Sequence, residues 1–387
     1  MARGGGMENG PRRPGQSLAV LLACLLLAAC TLPRGAGLES EVLRPAKAAD
    51  GEPAPPDGFA VFAVSRATEA QLAAWPSARQ RHAWITRQEQ PASMIIAPGD
   101  LISVQVWDTE DNSLLAGPGQ RVTSLADMKV SSSGTVFLPF VGDMRLAGMA
   151  PQTARAKIEE RYISAIPSAQ VQVSVKPGRA NTANLVSGVG NPGVYPLEDR
   201  DVTILGLIAM GGGVRDSMPN PQVRLFRGSK VYGIALERLF AEPALDTTLV
   251  GGDRVIVEPE KRYFLSLGAA GRESEHLFPR DRVSALDAMS IIGGLSDSRA
   301  NPRGILILRE YPARAVRSDG RGPPHERMIF TLDLTRADGL FSAGNFAIEP
   351  GDLVYVSESP ITVARTLLEL IGSVFGATSR AATLAEG

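Results

Sequence analysis

The chain has 387 residues and a formal net charge of −1 at pH 7, with 44% hydrophobic and 21% charged residues. This is the composition of an ordinary globular protein, and the length is sufficient for two or three domains with their own cores. Because a near-neutral chain lacks the excess of basic side chains that nucleic-acid-binding proteins use on phosphate, we predict no nucleic-acid partner.

The first 29 residues have the pattern of a secretory signal. Arg12 and Arg13 precede an apolar run, Leu18–Ala29, that closes in Leu27-Ala28-Ala29-Cys30. A basic start, a short apolar core and small residues before the cleavage site are typical of such a signal. A cysteine at the cleavage site resembles bacterial lipoprotein processing, and this resemblance implies that Cys30 becomes the first mature residue and is acylated.

The alternative is an ordinary signal peptide with a buried cysteine, which is our interpretation of Cys24. If Cys24 is removed with the signal and Cys30 is acylated, no thiol remains for a disulfide or for thiolate catalysis. Thr31, rather than an aspartate, follows the cysteine, and this favours the outer membrane as the destination.

Residues 30–58 are rich in Pro, Ala and Gly and show no periodic apolar pattern, which predicts a flexible tether. A segment at 59–90 follows, with a short strand predicted at Phe59–Val64 and a short helix at Thr68–Trp75.

The clearest periodic signals lie at residues 91–178, which we predict to be one domain. Leu101–Trp107 alternates apolar and polar residues, so a strand is predicted with one buried face. A strand meander is predicted next, with turns at Ser133-Gly134 and Gly142-Asp143. The predicted strands of this meander are Asp127–Val130, Thr135–Phe140 and Met144–Leu146. Pro151 then opens a predicted helix, and the closing strand contains Val171, Val173 and Val175. Ala154, Ile158 and Tyr162 follow Pro151 at helical spacing.

Residues 182–259 and 262–357 resemble each other. Each contains a helix-like stretch, at Thr203–Met210 and at Ser284–Ile292, followed by glycines and then by an Asp and an Asn-Pro pair. Each then runs through a predicted strand to a Gly-Asp turn and a last strand. A duplicated small α+β module explains this pattern. The second copy carries a polar insertion near Pro312–Glu326, which we predict to be an exposed loop.

In their order along the chain, these features resemble the outer-membrane polysaccharide export proteins of the Wza and KpsD kind. The motifs that carry the resemblance are Ile96-Ala97-Pro98-Gly99-Asp100-Leu101-Ile102, Val130 to Pro139, Gly142-Asp143 and Gly148-Met149, together with the two repeats and the lipobox.

The resemblance implies an α+β, multidomain subunit of a periplasmic ring. Residues 91–178 would be the polysaccharide export domain, and residues 182–259 and 262–357 would be β-grasp repeats of the ligand-binding kind called SLBB. Members of this family assemble as homo-oligomeric rings, commonly octamers, that carry capsular or extracellular polysaccharide through the outer membrane. The implied partner is an inner-membrane polysaccharide co-polymerase, coupled to an ABC transporter or to a polymerase system.

The C-terminal segment, residues 358–387, contains an amphipathic stretch after Pro360. At 100° per residue, its polar side chains fall within an arc of about 140° and its apolar side chains fill the opposite side. Twenty residues at about 1.5 Å each give a helix of roughly 30 Å, which is the thickness of a bilayer core.

Three interpretations of this helix remain open: packing on a soluble core, lying flat on a membrane, and forming one stave of an α-helical barrel. A lone spanning helix is disfavoured, because Arg365 and Glu369 would each cost roughly 2.5–3.5 kcal/mol at mid-bilayer. A closed ring of helices avoids this cost by turning both side chains toward water. With the family resemblance added, we predict an amphipathic transmembrane helix of a barrel. The predicted pore-lining residues are Thr362, Thr366, Glu369 and Ser373, and the predicted lipid-facing residues are Leu367, Leu368, Ile371, Val374 and Phe375.

No catalytic, metal or cofactor site is predicted. His82, His276 and His325 are widely spaced and have no cysteine neighbours, so the spacing of a zinc site is absent. Glu159 and Glu160 are adjacent on a predicted helix, where neighbouring side chains do not face the same way.

Two other groups of acidic residues receive structural interpretations. Asp108, Glu110 and Asp111 are predicted to lie on a solvated polar loop. The aspartates that follow Gly99, Gly252 and Gly351 are predicted to form turns before strands.

The sequence therefore predicts a lipid-anchored outer-membrane protein, with its bulk in the periplasm, that conducts polysaccharide and does no chemistry on it. The alternative is a periplasmic glycan-binding or scaffolding lipoprotein that uses the same repeats and forms no pore.

Overall fold

The computed structural model describes residues 35–44, 58–79, 82–88, 93–108, 120–164 and 166–362. The predicted signal peptide, Cys30, most of the predicted tether and the predicted C-terminal helix from residue 363 onward lie outside these ranges. Two compact units are present. The central unit is Gln80–Arg262 with Leu277–Arg282, and the terminal unit is Met1–Arg79, Tyr263–His276 and Val283–Gly387.

The helices and strands follow one another along the chain as short elements. The helices are α1 (Glu39–Val42), α2 (Arg66–Ala73), α3 (Pro151–Ile163), α4 (Ile204–Met210), α5 (Leu236–Ala241), α6 (Ala285–Ile291) and α7 (Ala337–Asn345). The strands are β1 (Ala60–Ala63), β2 (Leu101–Trp107), β3 (Val122–Lys129), β4 (Thr135–Leu138), β5 (Gly142–Arg145), β6 (Gln170–Lys176), β7 (Thr182–Ser187), β8 (Gly193–Pro196), β9 (Gln222–Arg227), β10 (Lys230–Ala235), β11 (Arg254–Glu258), β12 (Tyr263–Gly268), β13 (Ser274–Leu277), β14 (Ala300–Glu310), β15 (Arg327–Leu332) and β16 (Leu353–Glu358).

In the central unit, β2 lies between β3 and β6 and pairs with both in antiparallel fashion. The predicted alternation in β2 is confirmed, because Ile102, Val104 and Val106 are all buried. The predicted helix after Pro151 is confirmed as α3, with proline in its first turn. The side chains of α3 that join the core of this sheet are Ala154, Ile158 and Tyr162.

The predicted strand meander is wrong in its pairing and in one turn. Among the described strands, β4 and β5 pair only with each other, as a separate two-stranded sheet. The turn between them is at residues 139–141, whereas Gly142 and Asp143 begin β5. The physical reason is that Val136, Leu138 and Met144 are buried in the core that also contains the side chains of β2. This hairpin therefore folds onto that core and does not extend the sheet.

The rest of the central unit contains the first repeat, with strand order β10-β9-β11-β7-β8. Helix α4 begins where the sequence predicted, and the Thr203 hydroxyl caps it by accepting the N–H of Gly206 at 3.1 Å. Gly211 is the C-cap residue of α4. Gly212 and Gly213 have positive φ values of 80° and 77°, which explains why glycines follow the helix.

The second repeat has the strand order β1-β15-β14-β16-β12-β13. β14 lies antiparallel between β15 and β16, as β9 lies between β10 and β11. β12 runs parallel to β16, as β7 runs parallel to β11. The five strands of the first sheet therefore have counterparts in the same order in the second sheet, which carries β1 as a sixth strand. The predicted domain boundaries stay predictions.

The N-terminal segment adds a strand to the second repeat. β1 was predicted as a strand, but its partner was not, and it pairs in parallel with β15 from Ala60↔Met328 to Ala63↔Thr331. Non-neighbouring parts of the chain can share a sheet when an edge strand offers unpaired N–H and C=O groups. The edge of the second repeat is covered by β1 in this way.

The insertion near Pro312–Glu326 is exposed over most of its length, as predicted, but part of it packs against the repeat. Ala315 is buried, and the indole N–H of Trp75 donates to the carbonyl of Gly320 at 3.0 Å. The Trp75 ring also packs edge-on against Tyr311, with ring centroids 6.2 Å apart. The segment after β1 therefore holds part of this loop against the repeat.

Across the residues the structure describes, none of the helices combines the length and the apolar character needed to cross a membrane. Residues 360–362 are helical and begin the stretch that the sequence predicted as a membrane helix.

Candidate functional site at the end of the second repeat

Thr362 is the one predicted pore residue that the structure describes. It lies in the helical residues that follow β16, where its N–H donates to the Ser359 carbonyl at 3.0 Å and its hydroxyl lies 3.5 Å from the Arg299 carbonyl. The other predicted functional residues lie outside the described ranges. They are Cys30, Thr366, Leu367, Leu368, Glu369, Ile371, Ser373, Val374 and Phe375.

Two segments that are far apart in sequence meet beside Thr362. Leu38 forms a parallel bridge with Glu358, the last residue of β16. The N–H of Glu358 donates to the Gly37 carbonyl at 3.2 Å, and the N–H of Gly37 donates to the Tyr355 hydroxyl at 2.6 Å. The chain just before α1 therefore runs alongside the end of β16.

Arg299 contacts both segments. Its carbonyl accepts the N–H of Ser359 at 2.7 Å, which fixes the chain that leaves β16. Its guanidinium lies 3.8 Å from a Glu358 carboxylate oxygen, and that carboxylate is almost fully buried. A Cβ built on Gly35 would lie 2.7 Å from the same guanidinium, so the N-terminal backbone passes directly against it.

The charges around α1 are partly withdrawn from solvent. Burial raises the pKa of Glu39, and the neighbouring Asp333 carboxylate raises it further. The hydroxyl and the N–H of Thr335 lower the pKa of Asp333 by donating to its carboxylate. At neutral pH these shifts leave Asp333 charged, and they weaken the preference of Glu39 for its charged form.

The Asn-Pro pair of each repeat has a structural role that the sequence did not reveal. The amide of Asn220 donates to the Glu260 carboxylate at 2.9 Å and to the Phe278 carbonyl at 3.1 Å. In the second repeat, the amide of Asn301 lies 3.5 Å from the Glu39 carboxylate. Each asparagine therefore contacts a chain segment that lies outside its own sheet. In the sequence, the constant spacing of the two Asn-Pro pairs is the signal that could have pointed to this shared role.

The three Gly-Asp pairs form turns, as predicted. The three glycines, at positions 99, 252 and 351, have positive φ values of 94°, 86° and 86°. Each aspartate is buried and accepts the N–H of the residue three positions before it. Asp100 also accepts the N–H of Gly178 at 2.7 Å. These carboxylates are used in hydrogen bonds within the fold.

In both repeats an arginine completes the turn. Arg227 donates to the Asp253 carboxylate at 2.7 Å, and Arg309 donates to the Asp352 carboxylate at the same distance. The Arg309 guanidinium lies 5.1 Å from the ring centroids of Phe330 and of Phe346.

Burial would lower the pKa of Arg309, but the Asp352 carboxylate and the Tyr311 hydroxyl outweigh burial and raise that pKa above its ordinary value. The guanidinium is therefore charged inside a largely aromatic cage.

The prediction that Asp108 is solvated is wrong. Asp108 is buried, and the hydroxyl of Ser168 donates to its carboxylate at 2.6 Å. Its N–H donates to the Arg121 carbonyl, which holds it at the end of β2.

Glu159 pairs with Arg155 on α3 and is part of a surface ion pair. No group of side chains within the described ranges has the composition of a metal site.

Comparisons with known proteins give consistent matches. The profile of the family described as "Polysaccharide biosynthesis/export protein" matches residues 88–176, which end at the last residue of β6. The chain is 30% identical over 293 residues to the capsule polysaccharide export outer membrane protein CtrA of Neisseria meningitidis, which covers 71% of this chain and 75% of that protein.

Two further relatives have similar coverage. Identity is 27% over 292 residues with the capsule polysaccharide export protein BexD of Haemophilus influenzae, covering 71% of this chain and 74% of that protein. Identity is 24% over 270 residues with the Vi polysaccharide export protein VexA/TviF of Salmonella typhi, covering 69% and 74%.

Proposed function

The chain belongs to the family of outer-membrane polysaccharide export proteins, and on this premise we propose that it forms an oligomeric channel that exports capsular or extracellular polysaccharide. The observation that carries the proposal is the 30% identity to a capsule polysaccharide export outer membrane protein over 71% of the chain. The substrate class and the location are inferred from the export functions for which these relatives are named. The protein acts by conduction, as a transport protein with no reaction on the glycan.

The proposed subunit is a lipoprotein with most of its mass in the periplasm. Cys30 carries the lipid, residues 91–178 are the export domain, and residues 182–259 and 262–357 are two β-grasp repeats. The matching order of five strands in the two repeat sheets supports the duplication. Copies of the subunit form a closed ring, commonly an octamer in this family, because a head-to-tail contact that closes on itself gives a ring with a central cavity.

In the proposed channel, the C-terminal helices form the part that crosses the outer membrane. Leu367, Leu368, Ile371, Val374 and Phe375 face lipid, while Thr362, Thr366, Glu369 and Ser373 line the water-filled interior. This arrangement is supported by the cost of placing charged side chains in hydrocarbon, which a ring avoids by turning them inward. Energy for export comes from an inner-membrane polysaccharide co-polymerase working with an ABC transporter or a polymerase system.

The first prediction concerns assembly. Full-length acylated protein extracted from outer membranes in mild detergent should appear by electron microscopy as a ring, with a detergent belt around its C-terminal helices. A monodisperse monomer, with its tail folded onto its own domains, would contradict the channel and favour the glycan-binding or scaffolding lipoprotein instead.

The second prediction concerns Glu369. Replacing Glu369 with Leu should reduce surface polysaccharide strongly, because a leucine in the water-filled interior removes a charged, hydrated side chain from the pore wall. The Glu369→Gln variant is the matched control and should retain most export, since its amide keeps the wall polar. Surface polysaccharide is measured in cells that lack the native gene and produce each variant at equal level in the outer membrane. Normal export by Glu369→Leu would show that this side chain does not face the pore.

A further inference from the structure

A cleft opens at one end of the three-stranded sheet of the central unit, where β2 ends and where β3 and β6 begin. Its volume is about 340 Å³. The residues that line it are Trp107, Asp108, Arg121, Ser168 and Gln170. Trp107 is paired with Val122 on β3 and with Gln170 on β6, so the ends of three strands bring these side chains together. Ligand clefts span roughly 300–1,000 Å³, and a cleft at the lower end of this range suits one unit of a longer ligand.

We propose that this cleft binds one pyranose unit of the exported polysaccharide, through the face of the sugar ring and through its hydroxyl groups. We call it the sheet-end cleft and define it by the five residues that line it. The inference rests on the proposed function, because it takes a glycan as the transported substrate. It adds a sugar-binding subsite to that function and names the side chains that form it.

Trp107 supplies the apolar surface of the sheet-end cleft. It is half-buried at the end of β2. Side chains alternate along a strand, so the indole lies on the face of the sheet opposite Val106, which is buried in the core. The face of an aromatic ring carries partial negative charge, and the C–H groups of a pyranose ring present partial positive charge to it. The indole therefore offers a surface on which a sugar ring can stack.

The polar groups beside Trp107 fit sugar hydroxyls. Gln170 is exposed, and its amide can both donate and accept hydrogen bonds, as a hydroxyl does. The Asp108 carboxylate is held in place, because it accepts the Ser168 hydroxyl at 2.6 Å and the residue is only 3% exposed. The N–H of Asp108 donates to the Arg121 carbonyl at 3.0 Å, which fixes the backbone at this end of β3. One carboxylate and one guanidinium give the cleft no net charge, which favours a hydroxyl-bearing ligand over an ion.

The sheet face that leads away from the cleft has the same neutral, polar character. Residues 103–107 of β2, 122–124 of β3 and 170–174 of β6 include no charged side chain. The polar residues that share a face with Trp107 are Ser103, Gln105, Ser124, Gln172 and Ser174. Amides and hydroxyls can bind sugar hydroxyls without the high cost of desolvating a charge. The face therefore favours a chain of sugars, extending from the cleft, over a small charged ligand.

A binding measurement tests the cleft. Oligosaccharides released by mild acid from the surface polysaccharide of the producing cells are titrated by calorimetry into the full-length protein in mild detergent. Trp107→Ala should weaken binding by roughly tenfold or more, as is usual when an aromatic anchor is truncated. Trp107→Phe should restore most of the affinity because an aromatic face is kept. Gln170→Ala should weaken binding about fivefold, the usual effect of losing one hydrogen bond.

The matched control is Gln152→Ala. Gln152 is an exposed glutamine on α3, which packs on the opposite face of the same sheet, and its loss should leave the affinity unchanged. Because Gln170 is exposed, Gln170→Ala is expected to fold normally and keeps the test decisive if Trp107→Ala is unstable. Native affinity in Gln170→Ala and in Trp107→Phe, together with native affinity in a folded Trp107→Ala, would overturn the proposal.

Photocrosslinking during export identifies what occupies the cleft. The photoreactive residue p-benzoylphenylalanine is placed at position 170, and in the control at position 160, where the exposed Glu160 of α3 stands. We expect irradiated, exporting cells to give a glycan-bearing adduct from position 170 and none from position 160. An adduct between two copies of the chain at position 170, without glycan, would show that the cleft is a subunit contact and would overturn the sugar subsite.

The outcomes separate this inference from the proposed function. If the native protein supports export but its cleft variants bind oligosaccharides as tightly as the native protein does, the subsite is wrong and the channel proposal stands. If cells that lack the gene display normal surface polysaccharide, the proposed function is wrong, and this inference fails with it.

Discussion

Replacing Arg309 with alanine is expected to lower the free energy of unfolding by about 3–5 kcal/mol, the usual cost of removing one partner of a buried ion pair. Asp352 is only 1% exposed and receives two hydrogen bonds from the guanidinium, at 2.9 and 2.7 Å. Without Arg309 this carboxylate has no cation in a low-dielectric interior. The same substitution removes the guanidinium that packs on the rings of Phe330 and Phe346, so packing is lost as well.

The measurement is urea unfolding of the full-length protein, followed by tryptophan fluorescence. Trp75 packs on Phe330, with ring centroids 6.0 Å apart, and so reports on this region. The control is Arg327→Ala, whose guanidinium pairs with Glu310 on the surface, where both side chains are more than half exposed. Exposed pairs contribute about 0–1 kcal/mol. A loss for Arg309→Ala no larger than that of the control would contradict a structural role for the buried pair.

A double substitution shows how much of the effect comes from the unpaired charge. Arg309→Ala combined with Asp352→Ala should destabilise the protein by less than the sum of the two single changes, because the uncompensated carboxylate is no longer present. Strict additivity would mean that the two side chains stabilise the fold independently. Asp352 also accepts the N–H of Glu349, so the double variant is still expected to be less stable than the native chain.

Removal of residues 361–387 is expected to abolish surface polysaccharide while the periplasmic part stays folded. The proposed pore wall lies entirely in this segment, whereas the described core residues of both repeats lie before it. Export is measured as polysaccharide on the surface of cells that lack the native gene and produce the shortened protein. Polysaccharide should accumulate behind the outer membrane in these cells, because its synthesis is not affected.

The matched control is a shorter deletion, of residues 381–387, which follow the predicted amphipathic helix. This control should export normally, since all proposed pore-lining and lipid-facing residues remain. Folding of both shortened proteins is checked by their unfolding transitions and by their recovery from the outer membrane. Normal surface polysaccharide without residues 361–387 would rule out the C-terminal pore and favour a scaffolding lipoprotein.

Local patterns in the sequence were enough to determine the type of several elements. The alternation of Ile102, Val104 and Val106 gave a strand with one buried face, and the structure has all three in the core. Ala154, Ile158 and Tyr162 gave the buried face of a helix in the same way. Such predictions succeed because the spacing of apolar residues reports which side of a single element is buried.

The duplication was also readable from the sequence, since the Asp and the Asn-Pro pair after each helix recur at a constant spacing. The Gly-Asp turns lie farther apart because the second copy carries the insertion near Pro312–Glu326. The turn role of the buried aspartates followed from their position after glycine, and the positive φ values of those glycines give the physical reason.

Pairing between distant segments was decided only by the tertiary structure. β4 and β5 form their own hairpin because their apolar side chains fill the core beside β2, and β1 joins β15 because that edge is open. The choice depends on side-chain volume and on free backbone groups, neither of which appears in a local pattern.

The candidate site, too, was predicted in part by the sequence and decided in part by the tertiary structure. The sequence by itself determined that a lipid-bearing cysteine and an amphipathic C-terminal helix were to be expected, and it placed Thr362 at the start of that helix. It did not indicate that Gly37, Arg299 and Glu358 meet there, because these residues come from three separate segments and share no motif. Their meeting is a consequence of sheet topology: β16 ends beside the turn before β14, and the N-terminal chain pairs with that end.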